Sequence, residues 1–372
     1  MNFALTEDQR AIQDAAQSFL AGATNAEARA AALEGEAGWD VALWRALGSE
    51  MGFAGLMVPE AHGGSGLGAV EMALVLEETG KALAATPLFE TAVLSVRAIL
   101  AAGDDAQQAA LLSGVASGET VATPVWARPG EARPVLGGMT EIRLNGEVRY
   151  CPFAQAADLL LVACDADSLI ALPTATPGVS VEPRISLDPT RPLATVRFDD
   201  VTIDPDWILG GRGTAGEALA AAASAGAALL AAELTGVAAY SLSSTVDYVQ
   251  QRVQFGRAVG SFQAVKHSLA DMMVQVEAAR SAHLYAAAAL DMGGPESVEA
   301  ASVAKAWCGD AANHCAAEAI QLHGGIGFTW EHPAHLYFKR ARSSSVWLGD
   351  PASHREIVAG LIGLDAPAPE PA

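Results

Sequence analysis

Arg252, Phe255 and Gln263 stand around a glycine-containing elbow, RVQFGRAVGSFQAV, between two long alanine-rich stretches. An arginine ending one helix beside the start of the next brings a fixed cation and unpaired backbone N–H groups to one place. That combination suits an anion, and Gly256 and Gly260 allow a tight turn between the helices. On spacing alone, the pattern also fits an arginine lying along a helix end and an ordinary polar Gln263. A second stretch, AIQLHGGIGFTWEHPAHLYFKRA, holds Gly324, Gly325 and Gly327, more glycine than a helix stop requires. Such a strip lets backbone amides approach a bulky or charged ligand closely. It lacks the flanking strand and helix of a Rossmann loop. GGSGLG at 63–68 also follows no convincing strand and reads as structural.

Other reactive side chains point to less. His314, His323, His332 and His335 follow no zinc spacing and lack carboxylate partners. No G-x-S-x-G nucleophile elbow occurs. Lys339, Arg340 and Arg342 read as a solvated basic helix face. Cys308 and Cys315, seven apart on one helix face, read as buried small hydrophobes, and Cys151 and Cys164 fit the same reduced-thiol pattern.

The elements that must position these residues follow from pattern. The chain has 372 residues, 51% hydrophobic and 17% charged, which fits a folded protein of several domains. A formal charge of −21 argues against nucleic acid as a partner, while leaving room for one phosphorylated small molecule. The start shows no basic segment followed by an apolar core, and the apolar run Ala218–Ala232 is short for a membrane span. A cytoplasmic protein is therefore expected.

Residues 1–118 read as a helical domain, 119–210 as a β domain, 211–364 as a helical bundle, and 365–372 as a flexible tail. Thr6 and Gln9 suggest a capping box, and helices are expected near Val41–Gly48, Ala69–Leu83 and Thr91–Leu112. TEIRLNGEVRYC predicts a hairpin at its Asn-Gly pair, and DLLLVAC, SLIALP and ATVRF predict strands. Long helices follow from about Ala215, with Ser261 as an N-cap and Gly324 and Gly325 as a helix stop.

The two glycine-containing stretches, in this order on bundle helices after a central β module, resemble the acyl-CoA dehydrogenase family. LWRALGSEMGFAGLMVPEAHGGSGLGAVEMALVLEETGK is similar to that family's first helical domain. The resemblance covers most of the chain. It implies a mostly α fold with a central β-barrel-like or sandwich domain and a C-terminal four-helix bundle. It also implies FAD, an acyl-CoA substrate, electron-transfer flavoprotein as acceptor, and a dimer whose partner chain completes each flavin site. Arg252 matches the family arginine that reaches the FAD pyrophosphate, Gln254 and Phe255 match its neighbours, and Gln263 matches a glutamine near the adenosine. Gln321, Gly324 and Gly325 match the glycine strip that meets the same cofactor.

The resemblance weakens at the reacting end. The family reaction removes an α-proton with a glutamate while a hydride leaves the β-carbon for the flavin. Leu348 occupies one family position for that glutamate and Gly226 the other; neither is a base. The acids nearest Gly226, Glu217 and Glu233, are displaced along the helix. Asp350, two residues past Leu348, is a candidate base, although D-P-A-S-H also reads as the cap of the last helix. WARPGEARP and RYCPFAQAA replace the family's Thr-Glu-Pro, Gly-Ser-Asp and Trp-Ile-Thr segments. The chain thus resembles the subunit of a heterotetrameric dehydrogenase that donates dinucleotide contacts to a sister subunit carrying the base. The alternatives are a self-sufficient homodimer or homotetramer using Asp350, and a flavin-free helical scaffold.

Overall fold

The computed structural model describes residues 4–364 apart from 129, 139, 140 and 166; the tail 365–372 lies outside the described residues. Helix α1 (Glu7–Ala23) opens with the expected reciprocal capping box. The Thr6 N–H donates to Gln9 Oε1 at 3.0 Å and the Gln9 N–H to Thr6 Oγ1 at 3.1 Å. α2 (Ala26–Glu34) and α3 (Val41–Arg45) follow, the latter running into a π-helical turn, Ala46–Glu50. α4 (Ala69–Ala82) matches its expected span. The helix expected at 91–112 is a π-helix, Phe89–Ser95, followed by α5 (Val96–Ala102) and α6 (Asp105–Ala116). It breaks because the Asp104 side chain caps a new start, accepting the Gln107 N–H at 2.9 Å.

The β module contains β1 (Ala122–Val125), β2 (Val135–Gly137), β3 (Ile142–Pro152), β4 (Leu159–Cys164), β5 (Ser168–Pro173), β6 (Val179–Arg184) and β7 (Leu193–Ile203). One sheet has the order β1-β4-β5, with β1 parallel to β4; the other, β2-β3-β7-β6, is antiparallel. The Asn-Gly hairpin does not form. β3 runs straight through it, with a register shift between Leu144 and Gly146 against β7. Gly146 takes φ 133° there, and Asn145 Oδ1 accepts the Asp200 N–H at 2.9 Å. The extra residue lies on β7, where Asp199 and Asp200 (φ 50°) face Asn145 alone, so β7 bulges while the Asn-Gly pair stays within a continuous strand.

The chain then returns to helix: α7 (Ala215–Gln251), a short hairpin of β8 (Val253–Gln254) and β9 (Arg257–Ala258), α8 (Gln263–Met292), α9 (Glu296–His323), α10 (Ala334–Val346) and α11 (Pro351–Leu361). The sequence reading of the α7 apolar run as short is corrected. α7 has 37 residues and an 18-residue window of mean hydropathy 1.5, enough by length and composition to cross a membrane. Yet 72% of that window is buried within the protein, as in a core helix.

Two compact units emerge. One gathers the N-terminal residues to Leu20, Ala73–Leu83 and the chain from Ala227 onward; the other comprises Ala21–Met72 and Ala84–Gly226. The core of the second joins Val96 and Ile99 of α5, Leu112 and Val115 of α6, and the alternating Leu159, Leu161 and Ala163 of β4. In the first, Ala238, Met272, Val276 and Cys315 bring α7, α8 and α9 together. All four cysteines are free and buried, and burial pushes each thiol up to about 12.

Two features lock the first unit. α4 and α7 cross at backbone contact: a Cβ at Gly236 would overlap the Glu77 carbonyl, and one at Gly80 the Glu233 carbonyl. Gly236→Ala should therefore destabilise the protein by about 3 kcal/mol, the cost of overpacking where backbone cannot yield; chemical denaturation measures it. The second lock is Glu77, 1% exposed. Its Oε1 accepts from Arg280 Nη2 at 3.1 Å and pairs with Lys81 Nζ at 3.0 Å, while Oε2 meets Nε2 of fully buried His283 at 3.2 Å. Burial alone would raise the Glu77 pKa. The His283 hydrogen bond and the Lys81 and Arg280 charges outweigh it and hold the carboxyl well below the usual range. Nearby, Arg340 Nη1 lies 3.1 Å from Glu233 Oε1, and Ser344 Oγ donates to the same oxygen at 3.2 Å. Arg340 is 2% exposed, so it leaves the basic helix face read from the sequence. Lys339 and Arg342 instead lie over Trp330 and Phe338.

Candidate functional site

The elbow is built from the end of α7 upward. The Arg252 N–H closes the helix on the Tyr248 carbonyl at 2.8 Å, and the Val259 N–H returns to the Arg252 carbonyl at 2.8 Å. Between them, β8 and β9 pair Val253 with Ala258 and Gln254 with Arg257. This leaves a two-residue turn in which Phe255 (φ 53°) and Gly256 (φ 78°) are both left-handed. Positive φ at both positions marks the turn that matches strand twist in tight hairpins. Arg252, Gln254 and Phe255 are all exposed.

α8 begins at Gln263. Its N-cap is Phe262 and carries no side-chain cap; Ser261, expected there, lies in the preceding 3-10 turn Val259–Ser261. A 30-residue helix therefore opens without a side-chain acceptor for its first N–H groups.

The glycine strip closes α9. Gly324 takes φ 64° and stops the helix, and a Cβ at either Gly324 or Gly325 would meet no atom within 4 Å. Gln321, Gly324 and Gly325 are exposed. Elbow and strip, far apart in sequence, meet through aromatic rings. Tyr248, one turn before Arg252, stacks on His323, immediately before Gly324, with centroids 4.4 Å apart. His332 covers His323 at 4.3 Å. The His323 Nδ1–H donates to the Ala319 carbonyl at 2.7 Å, which fixes the ring's tautomer and orientation. Sequence reasoning passed over Tyr248 and His323 as functional supports; an aromatic one turn before the arginine was the available signal.

Burial, followed by the neighbouring His323 and His335, lowers the His332 pKa to about 4. An unfolded imidazole takes its proton near pH 6.5, so the folded protein loses stability as pH falls from about 6.5 toward 4. His332→Phe, which can keep a ring against His323, should flatten the fall of melting temperature over that window.

The reacting end has a different character. Leu348 is left-handed at φ 59°, and its carbonyl accepts from His354 Nε2 at 2.9 Å. Asp350 caps α11, as its sequence context allowed: Oδ1 accepts the Ser353 N–H at 2.7 Å and the Ser353 hydroxyl at 2.6 Å. Those two bonds lower its pKa below the ordinary aspartate value. Fully buried Lys305 donates to the Ser345 and Gly349 carbonyls at 2.8 and 2.9 Å, and burial pulls its pKa down to about 8. Gly226 lies inside α7, Glu217 is exposed, and Glu233 is engaged by Arg340. In the second unit a cleft opens among Trp39, Gln155, Arg184 and Pro192, and none of the sequence-read site residues lines it.

The elbow and strip fit a dinucleotide. An exposed arginine and an uncapped helix N-terminus suit a diphosphate, exposed Gln263 and Gln321 offer both donors and acceptors, and the open space over Gly324 and Gly325 admits close approach.

Comparison with known proteins identifies the family. The chain matches the acyl-CoA dehydrogenase N-terminal domain over residues 6–119 and the acyl-CoA dehydrogenase C-terminal domain over residues 216–362. It is 35% identical to acyl-CoA dehydrogenase IpdE2 of Mycolicibacterium smegmatis, over 93% of this chain and 96% of that protein. Its fold is similar to a chain in the ChsE4-ChsE5 complex of Mycobacterium tuberculosis, with TM-score 0.90 and 25% identity over 99% of this chain and 100% of that one. A chain of the Tcur3481-Tcur3483 steroid ACAD is also similar, with TM-score 0.86 and 30% identity over 97% of this chain and 99% of that one. Matched at both ends by its domains and along nearly its whole length by a curated relative, the chain belongs to the FAD-dependent acyl-CoA dehydrogenase family.

Proposed function

We propose that this chain is a subunit of a heteromeric acyl-CoA dehydrogenase, one that grips FAD across a subunit interface and leaves proton abstraction to a sister chain. The observation that carries this reading is a contrast within one unit. Arg252, Gln263, Gln321, Gly324 and Gly325 are exposed, whereas the loop after α10 offers Leu348 at the resemblance's base position and an Asp350 already committed to capping α11. The pairing of two differently named chains in both structural relatives supports a heteromer, and the steroid ACAD among them supports a bulky, steroid-derived acyl thioester as substrate.

FAD, when bound, supplies the hydride acceptor. Arg252 places a permanent positive charge at the diphosphate, joined by the first-turn N–H groups of α8. Gln263 and Gln321 orient the adenosine through amide hydrogen bonds, and the bare backbone at Gly324 and Gly325 lets that end close. Leu348 has no group that can take a proton, and Asp350 in the same loop is held by Ser353. The α-proton goes to a carboxylate of the sister chain, and electrons pass on to electron-transfer flavoprotein.

The test is expression of this chain alone, with its flavin absorbance followed as acyl-CoAs are added without oxygen, and then co-expression with an encoded sister dehydrogenase. Absent or unbleachable flavin alone, with bleaching restored by co-expression, is the expected result. Bleaching by the chain alone would overturn the subunit reading and make Asp350→Asn the next variant. No flavin under either condition would leave a helical scaffold.

A further inference from the structure

The elbow holds a phenylalanine in a backbone conformation that glycine adopts most easily. Phe255 sits at φ 53°, in the left-handed region that side chains avoid, and its ring is 91% exposed. Burial therefore does not hold the turn closed. Phe262 adds a side-chain constraint to the backbone pairing of β8 and β9. The Arg257 guanidinium lies over the Phe262 ring, 3.9 Å from its centroid. The Phe255 ring meets the same ring edge-on, at 6.2 Å and 89°. Phe262 is also the residue that opens α8, its carbonyl accepting the Lys266 N–H at 3.1 Å. One ring thus ties together the turn tip, the returning strand of the hairpin and the start of the helix.

We propose that Arg257 and Phe262 are positioning residues for the dinucleotide: their stack sets the angle between the Phe255–Gly256 turn and the α8 N-terminus, and so presents Arg252 and the first-turn N–H groups to one diphosphate. The proposal rests on the reading that the elbow grips FAD. Arg257 spends its charge on the ring face, a geometry that suits a planar guanidinium better than an ammonium. Its role is therefore separable from that of Arg252. Loss of the stack lets the turn relax, and the cofactor must then reorder it on binding.

FAD affinity, measured by flavin fluorescence on the full-length chain in its flavin-binding assembly, tests this at low and high salt. Arg257→Met and Phe262→Leu should each weaken FAD about fivefold, with the double variant no weaker than Phe262→Leu, because that change already removes the guanidinium–ring contact along with the Phe255 edge contact. Arg257→Lys should recover part of the loss. Salt dependence should stay as in the parent for these variants and flatten only for Arg252→Ala, which removes a charge facing the phosphates. Melting temperatures within the parent's range confirm folding.

An Arg257→Met variant with parental affinity, beside a weakened Arg252→Ala, would overturn the proposal while leaving the FAD reading intact. Additive losses, or a flattened salt dependence in Arg257→Met, would make Arg257 a direct ligand and also overturn it. Unchanged affinity in Arg252→Ala would remove the FAD reading and the proposal together.

Discussion

Glu77→Gln should cost the protein about 3 kcal/mol of stability, among the largest effects of any single isosteric change here. Glutamine keeps the shape but removes the charge that Lys81 and Arg280 were partly buried to meet. Those cations are 27% and 34% exposed, so solvent softens the penalty and keeps it at the lower end for a broken buried pair. His283, 0% exposed, loses a charged partner it cannot replace with water. Glu77→Ala adds a cavity and should be worse.

The pH dependence separates the charge from the packing. The folded Glu77 carboxyl ionises well below the ordinary value of 4.5, so its stabilisation is fully present above about pH 4.5 and disappears as pH falls through the lower folded value. Acid titration of unfolding should show the parent losing stability over that range and Glu77→Gln losing less. Equal acid slopes in the two proteins would rule out the charge as the source.

Arg252→Ala should weaken FAD by roughly 10- to 100-fold, the ~1.5–3 kcal/mol expected of a charged hydrogen bond, while leaving thermal stability of the flavin-free chain unchanged. The side chain is exposed and caps nothing, so its removal leaves the end of α7 intact; that helix end is closed by the Arg252 backbone N–H on Tyr248. Equilibrium titration with FAD, run beside thermal melts, distinguishes a lost ligand contact from a damaged elbow.

How far the sequence revealed these features depends on the range of the interaction. α1, with its Thr6–Gln9 box, and α11, with Asp350 before Pro351, are legible because a cap and its partner lie within one turn. Arg252, Gln263 and the Gly324–Gly325 strip were also visible, as unusual residue types at helix ends. Asn145-Gly146 misleads because a positive φ at glycine also fits inside a strand, and β7, more than fifty residues later, accommodates it with its own bulge at Asp199 and Asp200. Arg340 looks like a surface cation beside Lys339 until Glu233, more than a hundred residues earlier, is packed against it. Of the Tyr248–His323 stack, only the aromatic one turn before Arg252 is locally visible; its partner is not. Aromatic contacts between helix ends depend on register set by whole helices, not on nearby residues.

The Glu77 cluster also dictates an order of events during synthesis. Glu77 meets residues 203 and 206 positions later in the chain, and the unit containing it is assembled from three separated segments. While the ribosome makes the intervening chain, at roughly 5–20 residues per second, that carboxylate has only Lys81 and Glu78 of its own helix for company and must remain hydrated. The unit formed by Ala21–Met72 and Ala84–Gly226 has all its residues available well before Arg280 emerges. The contacts that close the first unit thus wait on the last part of the chain, and each must close a long loop.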